Sequence, residues 1–138
     1  MSSNLKSVLL VDDDASCNFL HQRLLRKSQR VDRIAVANDG LEALEYIKSC
    51  VATKKNSCPD IIFLDINMPR MNGWQFLDTY KDLSPAHRSG IVLIMLTSSL
   101  NPDDKARAEQ YDEVAGLHYK LLSKKGLEEI FERYFPEY

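Results

Sequence analysis

Five short apolar runs alternate along the chain with segments of helical periodicity, and this alternation limits the possible folds more than any other feature. The runs are Val8–Val11, Ile34–Ala37, Ile61–Leu64, Ile91–Leu96 and Val114–Tyr119. Most of them are continuous and rich in β-branched residues, which is typical of strands buried on both faces of a parallel sheet. The sequence therefore predicts an α/β fold in which helices cover both faces of a five-stranded sheet.

Apolar stripes at helical spacing lie between the runs and after the last one. Their members are Cys17, Leu20, Leu24 and Leu25, then Leu41, Leu44, Ile47 and Val51, and finally Leu127, Ile130, Phe131 and Tyr134. A short third helix is predicted from about Asn72 to Asp82, and the polar stretch Thr53–Ser57 is predicted to be a loop. Helix starts are predicted at Asn38 or Asp39, at Asn101 with Pro102, and at Ser123. The result is a (βα)₅ arrangement with right-handed crossovers. By analogy with flavodoxin-like folds, its strand order is 2-1-3-4-5.

The size and charge of the chain exclude several classes of function. Its 138 residues suit one domain. The formal charge of −2 offers no basic surface, so direct nucleic-acid binding is not expected. No apolar run approaches the roughly 20 residues that span a membrane, and the first residues do not resemble a signal peptide. We therefore expect a cytoplasmic protein without membrane insertion.

The remaining histidines, cysteines and aromatic residues are given structural interpretations. The three cysteines, Cys17, Cys50 and Cys58, are odd in number and form no CxxC pair, so neither a disulfide framework nor a zinc site is expected. The three histidines show no shared metal-binding spacing; His21 is expected on a helix surface and His87 in a loop. The aromatic residues of the third helix, Trp74, Phe76 and Tyr80, are expected in the core and at its rim.

Four of the apolar runs end abruptly at polar side chains. These are Asp12, Asp13 and Asp14 after the first run, Asp65 after the third, Thr97 after the fourth and Lys120 after the fifth. The carboxyl ends of parallel strands share one edge of the sheet, where open α/β folds place their ligands. Closely packed carboxylates favour a hard divalent cation such as Mg²⁺. With that cation one carboxylate can attack phosphorus, while an ammonium and a hydroxyl stabilise the transferred group.

Four motifs in this order resemble those of the bacterial response-regulator receiver family. They are VDDD at 11–14, LDINMPRMNG at 64–73, LTS at 96–98 and YK at 119–120. The resemblance extends over almost the whole chain, and its most specific part is the segment from Asp65 to Gly73. It implies a chemotaxis-regulator-like receiver domain that switches a binding surface when it is phosphorylated.

The resemblance also implies a role for each matching residue. Asp65 would be the phosphate acceptor, and Asp12 and Asp13 the acidic pair, with Asp13 the direct metal ligand. Asn67 would offer its backbone carbonyl to Mg²⁺, while its side chain and Ser99 would influence the hydrolysis of the acyl phosphate.

The switch and loop residues follow from the same resemblance. Thr97 would be the hydroxyl that moves towards the phosphoryl group, and Lys120 the cation that pairs with it. The loop after Asp65 would be shaped by Met68-Pro69 and by Gly73, since proline fixes φ and glycine permits conformations that other residues resist.

Two positions depart from the family pattern. The family usually has a cis proline after the lysine, but this chain has Leu121. A cis bond before leucine would cost about 3 kcal/mol, so a trans bond and a differently shaped loop are expected. Three residues before the lysine the family often has a rotating aromatic, and here the residue is Leu117. The nearest aromatic, Tyr119, is expected on the same face as Leu117 and opposite Lys120.

The resemblance implies a signalling module whose only catalysis is its own phosphorylation and dephosphorylation. The phosphodonor would be a sensor histidine kinase or a histidine phosphotransfer protein. We expect one receiver domain over residues 1–138, with a core from about 5 to 135 and no output domain. The signal would leave by phosphoryl relay, or by contact with a downstream protein at the fourth helix, fifth strand and fifth helix.

Two other functions are compatible with parts of the pattern. A haloacid-dehalogenase-like phosphatase also uses an aspartate nucleophile after a buried strand, but it requires a second aspartate where this chain has Asn67. A pseudo-receiver would fold alike and remain locked as a scaffold, and only the substitutions at Leu117 and Leu121 favour it.

Overall fold

The computed structural model describes residues 5–52, 58–83, 90–99 and 101–136. In this part of the chain five strands alternate with five helices. In chain order they are β1 (Lys6–Val11), α1 (Ala15–Ser28), β2 (Val31–Ala37), α2 (Gly40–Ala52), β3 (Ile61–Asp65), α3 (Gly73–Tyr80), β4 (Val92–Thr97), α4 (Pro102–Glu109), β5 (Val114–Tyr119) and α5 (Lys124–Tyr134). All paired strands are parallel, and their order is β2-β1-β3-β4-β5. The predicted α/β class and strand order are confirmed.

The continuous apolar runs are explained by two separate cores, one on each face of the sheet. Successive side chains of a strand point to opposite faces, so Leu9 and Val11 join one core while Val8 and Leu10 join the other. Helices α2, α3 and α4 contribute to the first core, and α1 and α5 to the second. Both faces are thus covered at the three inner strands, whereas the edge strands β2 and β5 remain partly exposed.

Capping side chains fix the starts of four helices where the sequence predicts them. The carboxylate of Asp39 accepts a hydrogen bond from the Glu42 N–H at 3.0 Å, so Asp39 rather than Asn38 caps α2. Asn101 caps α4 with Pro102 as its first residue, and Ser123 caps α5. The third helix is shorter than predicted, because it is capped by Asn72 through a capping box and ends at Tyr80.

The buried face of α1 differs from the predicted stripe. Leu20 is 46% exposed, whereas Asn18 and His21 are buried with Cys17 and Leu25. The expectation that His21 lies on the helix surface is therefore wrong. Burial of these polar side chains is tolerated because each forms a hydrogen bond to a backbone group. The aromatic residues of α3 are buried, as predicted. The predicted loop at Thr53–Ser57 and His87 lie outside the described residues.

A disulfide joins Cys50, near the end of α2, to Cys58, three residues before β3, with a Cα–Cα distance of 5.0 Å. The prediction that the cysteines offer no disulfide is therefore wrong. The two residues lie only eight positions apart in sequence, but the reversal of the chain between α2 and β3 brings them together. Cys17 remains a buried free thiol. Among the described residues, no helix combines the length and apolar character needed to cross a membrane.

Candidate phosphoacceptor and metal site

The register of the sheet brings the predicted polar residues to one edge. Val11 pairs with Leu64, and Asp65 pairs with Leu96, so the ends of β1, β3 and β4 are nearly level. Asp12 follows β1 directly, Asp65 is the last residue of β3, and Lys120 follows β5. Residues that are far apart in sequence therefore face one another at the carboxyl edge of the sheet.

Three carboxylates converge at this edge. Oxygens of Asp12, Asp13 and Asp65 lie within 4.8 Å of one another. Asp12 and Asp65 are buried, whereas Asp13 is exposed. One oxygen of Asp12, Oδ2, is buried and has no hydrogen-bond partner among the described residues. A buried carboxylate oxygen without a partner is costly, and hard divalent cations bind oxygen ligands of this kind. The residues therefore fit a divalent metal ion, with solvent access on the side of Asp13.

Lys120 is the cation that partly neutralises this cluster. Its ammonium nitrogen lies 3.4 Å from Asp65 Oδ2 and 3.5 Å from Asp12 Oδ1. Burial lowers the pKa of Lys120, but the neighbouring carboxylates of Asp65 and Asp12 outweigh it, so that the net pKa is raised. One ammonium therefore remains charged between two buried carboxylates.

The surroundings of Asp65 raise the pKa of its carboxyl group. Burial and the negative charge of Asp12 raise its pKa to about 6, against the lowering effect of Lys120 and of a hydrogen bond from the Asn67 backbone. Without a metal the carboxylate of Asp65 is thus partly protonated in weakly acidic solution. A bound cation would favour the ionised form, because it adds positive charge beside the carboxylate.

The hydroxyl of Thr97 has other partners in this structure. Its Oγ1 donates to the Ser99 carbonyl at 3.1 Å and accepts from the Ser99 N–H at 3.2 Å. The backbone carbonyl of Thr97 accepts a hydrogen bond from the Lys120 N–H at 2.8 Å. The end of β4 is therefore joined to Lys120 through the backbone, while the Thr97 side chain stabilises its own turn.

Gly73 lies close to the backbone of Asp65. A glycine is needed there for a different reason from the one predicted. A Cβ at Gly73 would lie 2.7 Å from the Asp65 carbonyl oxygen, which is shorter than a tolerable contact. In the loop that follows Asp65, the left-handed backbone conformation belongs instead to Arg70, with φ of 59°. Gly73 is required because the backbone of α3 approaches β3 closely, and not because of an unusual φ.

An ion pair that sequence reasoning missed holds the same loop. Arg70 Nε lies 2.6 Å from Oδ2 of Asp39, which is 3% exposed. The Gly40 N–H donates to the Met71 carbonyl at 3.1 Å, so the start of α2 is attached to the loop twice. The sequence marked Asp39 as a helix cap, but no local signal indicated a partner 31 residues away.

The two positions that depart from the family pattern, Leu117 and Leu121, both lie near this edge of the sheet. No cis peptide bond occurs among the described residues, so Leu121 follows Lys120 in the predicted trans form. Leu117 is half-buried and borders a groove of about 660 Å³ between α4 and β5, together with Pro102, Ala108 and Gly116. Tyr119 is 61% exposed. It borders a second groove together with Asp14 and Lys120.

The comparisons with known proteins agree with this geometry. The family model described as the response regulator receiver domain matches residues 8–131. The chain belongs to the response-regulator receiver family. The crystal structure of a two-component response regulator from Cytophaga hutchinsonii is 33% identical, with a TM-score of 0.87, covering 98% of this chain and all of that one. This membership favours the receiver hypothesis over a haloacid-dehalogenase-like phosphatase.

Two further relatives differ in how much of their length this chain spans. Response regulator Rcp1 from Synechocystis is 30% identical over 99 residues, which are 72% of this chain and 66% of Rcp1. The structure of its Mn²⁺-bound form is 27% identical, with a TM-score of 0.72, and covers 96% of this chain and 95% of that one. A protein-glutamate methylesterase/protein-glutamine glutaminase from Burkholderia thailandensis is 28% identical over 94% of this chain. The chain spans only 32% of that protein.

Proposed function

We propose that this receiver domain accepts a phosphoryl group on Asp65 in a Mg²⁺-dependent reaction and thereby changes a protein-binding surface. The observation that carries the proposal is the convergence of Asp12, Asp13 and Asp65 beside the Lys120 ammonium. Asp12 and Asp65 are buried, and Asp13 is the exposed member of the cluster.

The proposed reaction is a transfer from nitrogen to oxygen. An oxygen of the ionised Asp65 attacks phosphorus, the bond between phosphorus and the donor imidazole nitrogen breaks, and that nitrogen keeps the electron pair and takes a proton from solvent. The Lys120 ammonium, which lies 3.4 Å from Asp65 Oδ2, would stabilise the phosphoryl oxygens. Thr97 would release its hydrogen bonds with Ser99 before its hydroxyl could reach the new group.

The proposed metal site consists of Asp12, Asp13, Asp65 and the backbone carbonyl of Asn67. Support comes from the oxygen of Asp12 that lacks a partner and from the Mn²⁺-bound structure of Rcp1. When bound, Mg²⁺ would neutralise charge on the carboxylates and on the phosphoryl oxygens. Asp13 is the exposed member and would be the ligand through which the ion enters.

The proposed phosphodonor is a sensor histidine kinase or a histidine phosphotransfer protein. The signal would leave when a downstream protein binds to the surface of α4, β5 and α5, or when the phosphoryl group is passed on to another protein. The groove bordered by Pro102, Ala108 and Leu117 gives this surface a largely apolar site. We propose no direct contact with nucleic acid, since the formal charge is −2.

We further propose that residues 1–138 form one receiver domain of a cytoplasmic regulator. The full coverage of the Cytophaga regulator chain supports this architecture. Disulfides are rare in reducing compartments such as the cytoplasm. The Cys50–Cys58 bond is therefore the feature that argues against a cytoplasmic location. Trapping of free thiols in intact cells, followed by peptide mass analysis, would show whether the pair is reduced there.

The decisive experiment is intact-protein mass after incubation with Mg²⁺ and phosphoramidate. The wild type should gain one phosphoryl group that is lost at alkaline pH, as an acyl phosphate is, while Asp65→Asn should gain none. The same wild-type sample without Mg²⁺ should remain unmodified. If Mg²⁺ binds but no phosphoryl group is gained, the pseudo-receiver hypothesis replaces this one, and Leu117 and Leu121 become the first residues to change.

A further inference from the structure

His21 is a buried polar residue that the proposed reaction does not use. It lies in the middle of α1 and is 3% exposed. Its Nε2 accepts a hydrogen bond from the Leu122 N–H at 3.2 Å, across 101 positions of sequence. The imidazole therefore connects the helix that follows the acidic pair to the loop that follows Lys120.

The loop after β5 is attached at two points, and Lys120 lies at the first of them. The Lys120 N–H donates to the Thr97 carbonyl at 2.8 Å, and two residues later the Leu122 N–H donates to His21. Between them Leu121 is 58% exposed and lacks a ring that would fix its φ. The backbone that carries the Lys120 side chain is thus restrained by β4 on one side and by α1 on the other.

The same helix also holds the acidic side of the site. Asp14 caps α1, and the side chain of Asn18 donates to the Asp12 carbonyl at 2.9 Å. Three positions further along the helix, His21 reaches the lysine loop. Helix α1 therefore determines the separation between the backbone of Asp12 and the backbone beside Lys120.

The imidazole can serve as an acceptor because it is neutral. Burial lowers the pKa of His21, and this effect outweighs the opposing influence of a hydrogen bond with the Lys120 backbone and of the Asp12 charge. A neutral imidazole has one nitrogen with a free lone pair, whereas the protonated ring has none. The hydrogen bond from Leu122 identifies Nε2 as that nitrogen.

We propose that His21 is a positioning residue: its hydrogen bond to the Leu122 N–H holds the Lys120 ammonium against Asp65 and Asp12. The inference rests on the proposed phosphoacceptor function, because the position of Lys120 matters for that reaction. His21 does not contact the reacting atoms. Its contribution is transmitted through two residues of backbone.

The test compares two variants that differ in one acceptor atom. His21→Gln can place an amide oxygen near the position of Nε2, whereas His21→Leu removes the acceptor and keeps a buried side chain. We expect His21→Leu to slow phosphorylation by phosphoramidate at saturating Mg²⁺ five- to tenfold, and His21→Gln to restore most of the rate. In a Lys120→Met background, His21→Leu should cause no further slowing, since its effect is exerted through Lys120.

Two readouts do not depend on phosphorylation. The Leu122 amide should exchange with solvent at least about tenfold faster in His21→Leu than in wild type or His21→Gln. The Lys120 amine should react faster with an acetylating reagent in His21→Leu alone, as measured by peptide mass. If the wild type is not phosphorylated, the proposed function fails, and these readouts still decide whether His21 holds the loop.

Two results would overturn the inference. Equal slowing by His21→Leu and His21→Gln, with unchanged exchange at Leu122, would show that the imidazole acts only by packing. Additive slowing in the Lys120→Met background would show that His21 acts through some other group. Should His21→Leu fail to fold, His21→Phe provides a second variant that removes the acceptor and retains a ring.

Discussion

The ammonium of Lys120 lies 3.4 Å from the carboxylate of Asp65 and 3.5 Å from that of Asp12, so one cation is shared by two buried anions. This arrangement leaves the cluster with excess negative charge, to which the exposed Asp13 adds. Burial and this excess charge together raise the pKa of Asp65. The excess charge also supports the affinity for a divalent cation that we propose. A metal ion and a proton would therefore compete for the same negatively charged carboxylates.

Asp65→Asn should stabilise the metal-free protein at neutral pH. The pKa of Asp65 is about 6 in the folded protein, above its ordinary 3.8. A raised acid pKa gives stability that is present below pH 4 and is lost as pH rises through 6. Relative to the wild type in a chelator, Asp65→Asn should gain up to about 3 kcal/mol in free energy of unfolding at pH 8, and little at pH 4.

Urea unfolding at several pH values measures this difference, and Asp112→Asn, in an exposed turn, controls for loss of any one charge. A constant difference between wild type and Asp65→Asn from pH 4 to pH 8 would contradict the raised pKa. Mg²⁺ should reduce the difference at pH 8, because the ion stabilises the wild type more than a variant that has lost a ligand.

Asp13→Ala should weaken Mg²⁺ binding by roughly tenfold or more, equivalent to at least about 1.4 kcal/mol. The change removes the exposed carboxylate of the cluster and leaves Asp12 and Asp65 in place. Titration calorimetry of chelator-stripped protein measures the affinity, with Asp112→Ala as the matched control. Unchanged affinity in Asp13→Ala would remove this residue from the proposed ligand set.

Lys120→Met should raise the pKa of Asp65 further and slow its phosphorylation roughly 100-fold. The ammonium lowers the pKa of the carboxylate in the wild type, so its removal leaves burial and Asp12 unopposed. The carboxyl ¹³C shift of Asp65 followed through a pH titration reports the pKa. Lys124→Met, at an exposed position that begins α5, should change neither quantity.

Asp39 has two tasks that can be separated by substitution. It caps α2 through the Glu42 N–H and pairs with Arg70 in the loop after Asp65. Asp39→Ala should lose both and destabilise the protein by about 2 kcal/mol, whereas Asp39→Asn should keep the cap and lose less. Urea unfolding gives the free energies, and Arg70→Ala should resemble Asp39→Asn. If Asn proved as harmful as Ala, the cap would contribute nothing.

Much of the fold could be predicted because it depends on local patterns. Continuous apolar runs indicated the buried parallel strands, and Asn101, Pro102 and Ser123 fixed helix starts by side-chain chemistry that acts within three residues. The predicted phase of α1 is wrong because Asn18 and His21 are buried, where each forms a hydrogen bond to a backbone group. Hydropathy treats such residues as exposed, and only their partners show otherwise.

The residues of the candidate site could be predicted from the sequence, but most of the contacts that hold them in place could not. The motif order placed Asp12, Asp65 and Lys120 at strand ends, and the parallel sheet then brings them together. Two supporting contacts join distant parts of the chain: one links Arg70 to Asp39, and the other links His21 to Leu122. Neither pair leaves a pattern in the sequence, because each depends on how loops pack after the sheet has formed.

The Cys50–Cys58 disulfide should stabilise the protein in a way that reducing agent removes. It closes a loop of about nine residues, for which the chain-entropy model gives about 2.6 kcal/mol. Urea unfolding with and without dithiothreitol should show this loss in the wild type, while the double variant Cys50→Ala/Cys58→Ser should be insensitive to the reductant. Cys17→Ala should respond as the wild type does, because Cys17 is unpaired.

Mg²⁺ affinity should be the same in both redox states of the disulfide. Asp65 is held by pairing of β3 with β1 and β4, at the far end of the strand from Cys58. A change in Mg²⁺ affinity on reduction would mean that the disulfide also sets the position of β3 relative to the acidic cluster.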